Sequence, residues 1–172
     1  QCVKHEIDVL AHKNNETTIV ECKFHNEQGL NCNVKIPLYI NSRYNDVKEY
    51  WNSNPKNGTK LTNGWVVTNT RFTEDALQYG KCANLYLLSW DYPFSRSLKD
   101  LIDQFGLYPI TCLTSLTTQE KQWFLGRDLV LARDIISNNS LLKKAGLSEK
   151  RIQSLKSEGE KLMNENFKQQ ED

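Results

Sequence analysis

Two short segments near the start of the chain alternate apolar and polar residues. Residues 6–11 (Glu-Ile-Asp-Val-Leu-Ala) and 17–24 (Thr-Thr-Ile-Val-Glu-Cys-Lys-Phe) read as strands, the second rich in β-branched residues. Asn14-Asn15 lies between them and suits a two-residue hairpin turn, because Asn tolerates positive φ. The period then changes. Ile36, Tyr39, Ile40, Tyr44, Val47, Tyr50 and Trp51 recur at near-helical spacing, with Pro37 in the first turn, so residues 35–51 are expected to be an amphipathic helix. Residues 52–63 are polar and carry Pro and Gly, the composition of a loop. Next come a strand at Trp65–Asn69, a helix over 73–84 capped by Thr73, and a strand at Leu85–Trp90. Apolar strands flanking a helix predict a parallel βαβ crossover. From Leu98 onward the pattern is helical only, at 98–105, 118–125, 129–136, 138–145 and 148–166, the last with Ser148 as its N-cap. The expected fold is α/β in residues 1–95, followed by an all-α module in 96–172, with the boundary near 94–97.

Composition narrows the function classes. The 172 residues are 38% hydrophobic and carry a net charge of +1, which fits a folded chain and gives no basic excess for bulk attraction to phosphate. No apolar run approaches a membrane span, and the opening Gln-Cys-Val-Lys-His-Glu resembles neither a signal nor a transit peptide. Five Cys without a CxxC pair point to reduced thiols and a cytoplasmic location. Cys22, His25 and Cys32 lack a fourth ligand at finger spacing, which argues against zinc.

The hairpin register brings out candidate chemistry. A two-residue loop at 14–15 makes facing residue numbers sum to 29, so Asp8 faces Glu21 and Glu6 faces Lys23. Alternation puts Glu6, Asp8, Glu21 and Lys23 on one face. It leaves Ile7, Val9, Ala11, Val20, Cys22 and Phe24 on the other, the expected core surface. Carboxylates facing each other at about 5 Å repel. A divalent cation, Mg²⁺ or Mn²⁺, compensates them, and Mg²⁺ typically takes one or two carboxylates, waters and a substrate phosphate. Lys23 on that face would orient a metal-bound water or stabilise charge on a phosphate. The competing reading is a solvated strand face with a Glu6–Lys23 pair.

Ile7-Asp8, twelve intervening residues and Glu21-Cys22-Lys23, followed by helix, strand, helix and strand, resemble the PD-(D/E)xK nuclease motif of Mrr-type restriction endonucleases. The resemblance covers about residues 5–90. It implies a restriction-endonuclease-like mixed sheet flanked by helices and a metal-dependent DNA endonuclease. Asp8, Glu21 and the Cys22 carbonyl would be the metal ligands, and Lys23 the catalytic lysine. Two departures stand out: Ile7 takes the place of the motif's Pro, and the helix and strand that open the family core before the Asp are not in this sequence. Proteins of this type often follow an ATP-cone domain, so an upstream nucleotide-binding domain or a homodimer partner is an expected companion.

Lys35 and Arg43, on the helix after Lys23, and Asn69 and Arg71, at the strand-to-helix edge where α/β sheets bind ligands, are candidate DNA contacts. Tyr39 is assigned to the core, and His5 and His25 to the surface rather than the metal. Leu113–Leu116 and Leu125–Asp128 weakly resemble a helix-hairpin-helix element in which only Gly126 remains of the usual glycines, so packing is expected of Gly126 and Arg127. Lys143, Lys144, Lys150 and Arg151 form a modest basic cluster on what is expected to be a solvated face. Two further function classes stay open: a non-catalytic nucleic-acid binding or regulatory module, and a small-molecule α/β enzyme using the Asn69–Arg71 edge.

Overall fold

The computed structural model describes residues 3–27 and 29–164. The elements run β1 (Val9–Lys13), β2 (Glu16–Lys23), β3 (Asn31–Cys32), α1 (Lys35–Ser53), β4 (Lys60–Thr68), β5 (Arg71–Phe72), α2 (Glu74–Cys82) and β6 (Tyr86–Leu88). They continue with α3 (Leu98–Phe105), α4 (Thr118–Leu125), α5 (Ala132–Ile136), α6 (Asn139–Lys144) and α7 (Glu149–Asn164). The chain divides into two compact units between Lys99 and Asp100. Among the described residues, no helix is long and apolar enough to cross a membrane.

In the first unit β1 and β2 form the expected antiparallel hairpin in the expected register, Val9 opposite Val20 and Lys13 opposite Glu16. Asn14 (φ 49°) and Asn15 (φ 65°) both take the left-handed conformation that a type I′ turn requires. β2 pairs parallel with β4, and β4 parallel with β6, giving the order β1-β2-β4-β6. β3 and β5 form a separate two-stranded parallel pair.

α1 carries β2 to β4 and α2 carries β4 to β6. Two right-handed crossovers stepping in the same direction leave both helices on one face of the sheet. That face holds the core of Ile19, Leu61, Val66 and Leu87 from the strands with Ile40, Tyr44, Val47 and Ala76 from the helices. The close approach is visible at Gly80, where an added Cβ would lie 2.4 Å from Leu87 Cδ1.

Three expectations are corrected. The core surface of the hairpin is the face of Thr17, Ile19 and Glu21, all buried, whereas Val9 and Phe24 are exposed, Phe24 by 74%. The covered side of β2 is the one expected to face away from the core, and Asp8 and Glu21 do not share a face as expected: Asp8 is exposed, Glu21 is buried beneath Arg43 of α1, and Ile7 packs against the core. β4 starts at Lys60, well before Trp65. Its early residues look like a loop because Lys60 and Asn63 are exposed, but Leu61 and Gly64 are buried, and the Asn52 side chain bonds both the N–H and the carbonyl of Leu61. The helix expected over 129–136 begins only at Ala132, because Leu131 is extended and bridges to Pro109.

The second unit is helical as expected. Its core gathers Ile110, Leu113, Phe124, Ile135, Leu142 and Leu155, all nearly inaccessible. Thr117 and Glu120 form a capping box at the start of α4. Arg151 grips Glu120 with both terminal nitrogens and also donates to the Ser115 carbonyl. That bond with Arg151, aided by Thr117, holds the Glu120 carboxyl down to about 2. Glu158 of α7 accepts from the backbone N–H and the hydroxyl of both Thr114 and Ser115. Burial opposes its charge, but these donors prevail and also hold its carboxyl at about 2. Arg127 stacks 3.8 Å from the Trp123 ring centroid and donates to the Trp123 carbonyl, the packing role expected of it. Within the basic cluster Lys143 pairs with Glu149 at 2.6 Å, and the partly exposed Arg151 is tied to Glu120. The last residues assigned to the final helix, beyond Asn164, lie outside the described residues.

Candidate functional site

Asp8, Glu21 and Lys23 lie at the same end of the hairpin, at the carboxyl edge of the parallel strands, but Asp8 and Glu21 face different surroundings. Asp8 sits one residue before β1 and leaves the ladder. Its Oδ2 accepts the Cys22 N–H at 2.7 Å, in place of a backbone carbonyl. Asp8 is exposed, and among the described residues its Oδ1 accepts no hydrogen bond. Glu21 points the other way, into the interface between sheet and α1, and is 1% exposed.

A buried carboxylate requires compensation. Arg43, two turns into α1, supplies it. Its Nη1 lies 2.6 Å from Glu21 Oε1 and 2.7 Å from the Glu6 carbonyl, and its Nη2 bonds the Tyr39 hydroxyl, over whose ring the guanidinium also sits at 4.8 Å. Burial works against the Arg43 charge, but hydrogen bonds to Tyr39 and Glu21 outweigh it and push its pKa above the usual arginine range. Among the described residues Arg43 Nε is buried without a hydrogen-bond partner. An unpaired buried donor is unfavourable by about 1–3 kcal/mol, so the fold accepts a loss to keep the guanidinium over Glu21. Lys23 stands 3.8 Å from the other oxygen, Glu21 Oε2. Burial, and then the charges of Asp8 and Glu21, raise the Cys22 thiol pKa, so both carboxylates act on the residue between the ligand and the lysine.

The donor set suits a hard divalent cation, which prefers oxygen. The oxygens without a hydrogen bond among the described residues are Asp8 Oδ1 and Glu21 Oε2, the latter 3.8 Å from Lys23. Among the described residues no three His, Cys, Asp or Glu side chains gather as a metal cluster. The Cys22, His25 and Cys32 trio is accordingly not assembled. His25 contacts Cys32 at 3.4 Å, while Cys22 is exposed.

The candidate DNA contacts are placed differently from one another. Lys35 is exposed at the start of α1, as expected. Arg43 does not form an outer rim but turns inward onto Glu21. Asn69 clamps the loop after β2, its side chain accepting from the His25 N–H and donating to the His25 carbonyl. Arg71 is 70% exposed and pairs with Asp91 at 2.7 Å. Tyr39, assigned to the core from its spacing, is instead 54% exposed and tied to Arg43. His5, assigned to the surface, is half-buried and bonds Asp46, one turn after Arg43. The ion pair of Glu21 with Arg43, which sequence reasoning missed, spans 22 positions and leaves no local signal.

Comparison with known proteins gives one coherent result. Residues 108–163 match a family described as AF1548-like, C-terminal. The chain is 32% identical over 163 residues to an uncharacterized protein of Archaeoglobus fulgidus, covering 94% of this chain and 87% of that one. A crystal structure of a protein of unknown function, AF1548, superposes with a TM-score of 0.71 at 32% identity, covering 95% of this chain and 84% of the other. The likeness therefore spans both units.

Proposed function

The chain belongs to the AF1548-like family, and from the site it carries we propose that it is a metal-dependent DNA endonuclease. What supports this reading is the placement of Asp8, Glu21 and Lys23 at the end of one hairpin, Asp8 on the N–H of Cys22 and Lys23 3.8 Å from Glu21. The order of hairpin, helix, strand, helix and strand around it supports the same reading.

Asp8, Glu21 and the Cys22 carbonyl would hold Mg²⁺ or Mn²⁺. When bound, the ion supplies a Lewis acid for a phosphate oxygen and a more acidic water. The chain's own residues do the rest. Cys22 N–H fixes the Asp8 carboxylate, leaving Oδ1 toward solvent. Arg43 fixes Glu21 through Oε1. Lys23 stands beside Glu21 Oε2, where its ammonium orients the attacking water and stabilises charge on the phosphodiester. Lys35 and Arg71 are exposed cations and would meet the DNA backbone. Free thiols at Cys22, Cys32, Cys82 and Cys112 fit a cytoplasmic setting. With a net charge of +1, tight grip on DNA would draw on a second subunit or an added domain.

Incubation of the chain with plasmid DNA and Mg²⁺ or Mn²⁺, with and without EDTA, tests the reading. Nicking or linearisation that EDTA stops, and that Asp8→Ala and Lys23→Ala both lose, is the expected result. DNA retention without cleavage under every metal condition would move the assignment to a non-catalytic binding module.

A further inference from the structure

The carboxyl edge of the sheet carries exposed aromatic rings. Lys23 is level with Thr68 in the β2–β4 ladder, and Leu88 is level with Val67 in the β4–β6 ladder. Ser89, the residue after Leu88, therefore stands two strand spacings from Lys23, at about 10 Å. There the chain makes a tight turn. Ser89 N–H donates to the Tyr92 carbonyl at 2.7 Å, and the Ser89 hydroxyl donates to Asp91 at 3.1 Å. Trp90 N–H donates to the Thr70 carbonyl at 3.0 Å, and Leu98 N–H to the Ser89 carbonyl at 2.8 Å. The turn is anchored to the sheet, while its three aromatic side chains reach solvent: Trp90 is 44% exposed, Tyr92 39% and Phe94 93%. Phe24, the residue after Lys23, adds a fourth exposed ring to the same edge. Residues 89–99 hold a single acid, Asp91, which Arg71 pairs at 2.7 Å, and two exposed bases, Arg96 and Lys99.

Exposed rings beside cations fit a polyanion with flat apolar faces. Aromatic side chains stack on bases whatever the sequence, and unpaired bases offer the faces that a duplex keeps covered. A chain with a net charge of +1 gains little from bulk attraction to phosphate, so stacking supplies a grip that charge does not. We propose that the Trp90–Phe94 turn binds the unpaired bases of a single-stranded DNA stretch lying along this sheet edge. This rests on the nuclease reading and names its substrate: DNA with an unpaired stretch a few nucleotides from the cleaved phosphate. Trp90 and Phe94 are binding residues here and take no part in the cleavage chemistry.

The test is fluorescence anisotropy in EDTA with three labelled ligands: a single strand, a blunt duplex, and a duplex with a single-stranded overhang. The intact chain should bind the overhang duplex and the single strand about tenfold more tightly than the blunt duplex. Trp90→Ala combined with Phe94→Ala should lose that preference and leave blunt-duplex affinity unchanged. Trp90→Phe keeps a ring and should retain it. Phe94 buries almost nothing, so Phe94→Ala alone should fold and lose part of the preference even if the double variant does not fold. Equal affinity for overhang and blunt duplex in the intact chain, or a preference that survives these alanine variants, would overturn the proposal. Self-association of the intact chain that the double variant abolishes, with no preference among the DNA ligands, would give the turn to a second copy instead. In both cases metal-dependent plasmid cleavage would leave the nuclease reading standing. A preference that tracks the turn in a chain that cleaves under no metal condition would uphold the stacking surface and overturn the nuclease reading.

Discussion

The two units both hold carboxylates that are tied to their own fold, and they use them in opposite ways. In the helical unit Glu158 is saturated: each oxygen accepts one N–H and one hydroxyl from Thr114 or Ser115. Glu120 is likewise shared between its capping box and Arg151. In the α/β unit Asp8 and Glu21 each give one oxygen to an N–H group and keep one back. Saturated carboxylates close a structure, and half-used ones leave room for a ligand. Unused lone pairs therefore separate structural from candidate functional carboxylates better than burial does, since Glu21 is more buried than Glu120.

Variants of the half-used carboxylates and their lysine should show the largest effect, and it should fall on activity. Lys23→Ala is expected to lower cleavage by about 10²–10⁴-fold, the usual range for a positioned proton-transfer or charge-stabilising group. Asp8→Ala should lose cleavage as well, yet unfold within about 1 kcal/mol of the parent, because it gives up one exposed hydrogen bond. A plasmid time course beside a urea titration reads both. Unchanged cleavage in either variant breaks the contrast at its functional side.

Packing in the helical unit sets the next scale. Phe124 is fully buried, so Phe124→Ala should cost about 3–5 kcal/mol in denaturant unfolding. Glu158→Ala strands four donors and should cost about 1–3 kcal/mol, with the metal requirement of cleavage unaltered. A stability change too small to detect there would mean that the saturated carboxylate is not structural.

Acid sharpens the comparison further. Glu120 and Glu158 have folded-state values near 2, below the ordinary value of 4.5. A depressed carboxylate contributes stability that is fully present above its unfolded value and is lost as pH falls through the folded one. The contribution of these two groups should therefore be intact above about pH 5 and decline toward pH 2. Thermal melts across that window should show the decline, and Glu158→Ala should flatten part of it. The smallest effect belongs to Arg71→Ala. Its pair with Asp91 is exposed, so stability should change by about 0–1 kcal/mol, while duplex affinity falls modestly.

The sequence revealed what short-range geometry dictates. The Asn14-Asn15 turn fixed the register of Val9–Lys13 against Glu16–Val20, as read from the sequence. Thr73 capped α2 as expected, its side chain accepting from Ala76 N–H. What the pattern hid was which face is covered. Val9, Val20 and Phe24 are as apolar as a core strand, but the direction of two crossovers decides where α1 and α2 lie, and no local residue encodes it. The same choice of face buried Glu21 and drew Arg43 inward, turning an expected DNA contact into a counter-ion. Tyr39 is 54% exposed and bonds Arg43 through its hydroxyl.

The central claim is that the two half-used carboxylates share a divalent cation. Soaking crystals of the protein in Mn²⁺ and computing an anomalous difference map tests it most directly. The account predicts one peak at about 2.0–2.4 Å from oxygens of both Asp8 and Glu21, strengthened by a bound phosphodiester. A map with no peak between them, from crystals that cleave or bind DNA, would contradict it.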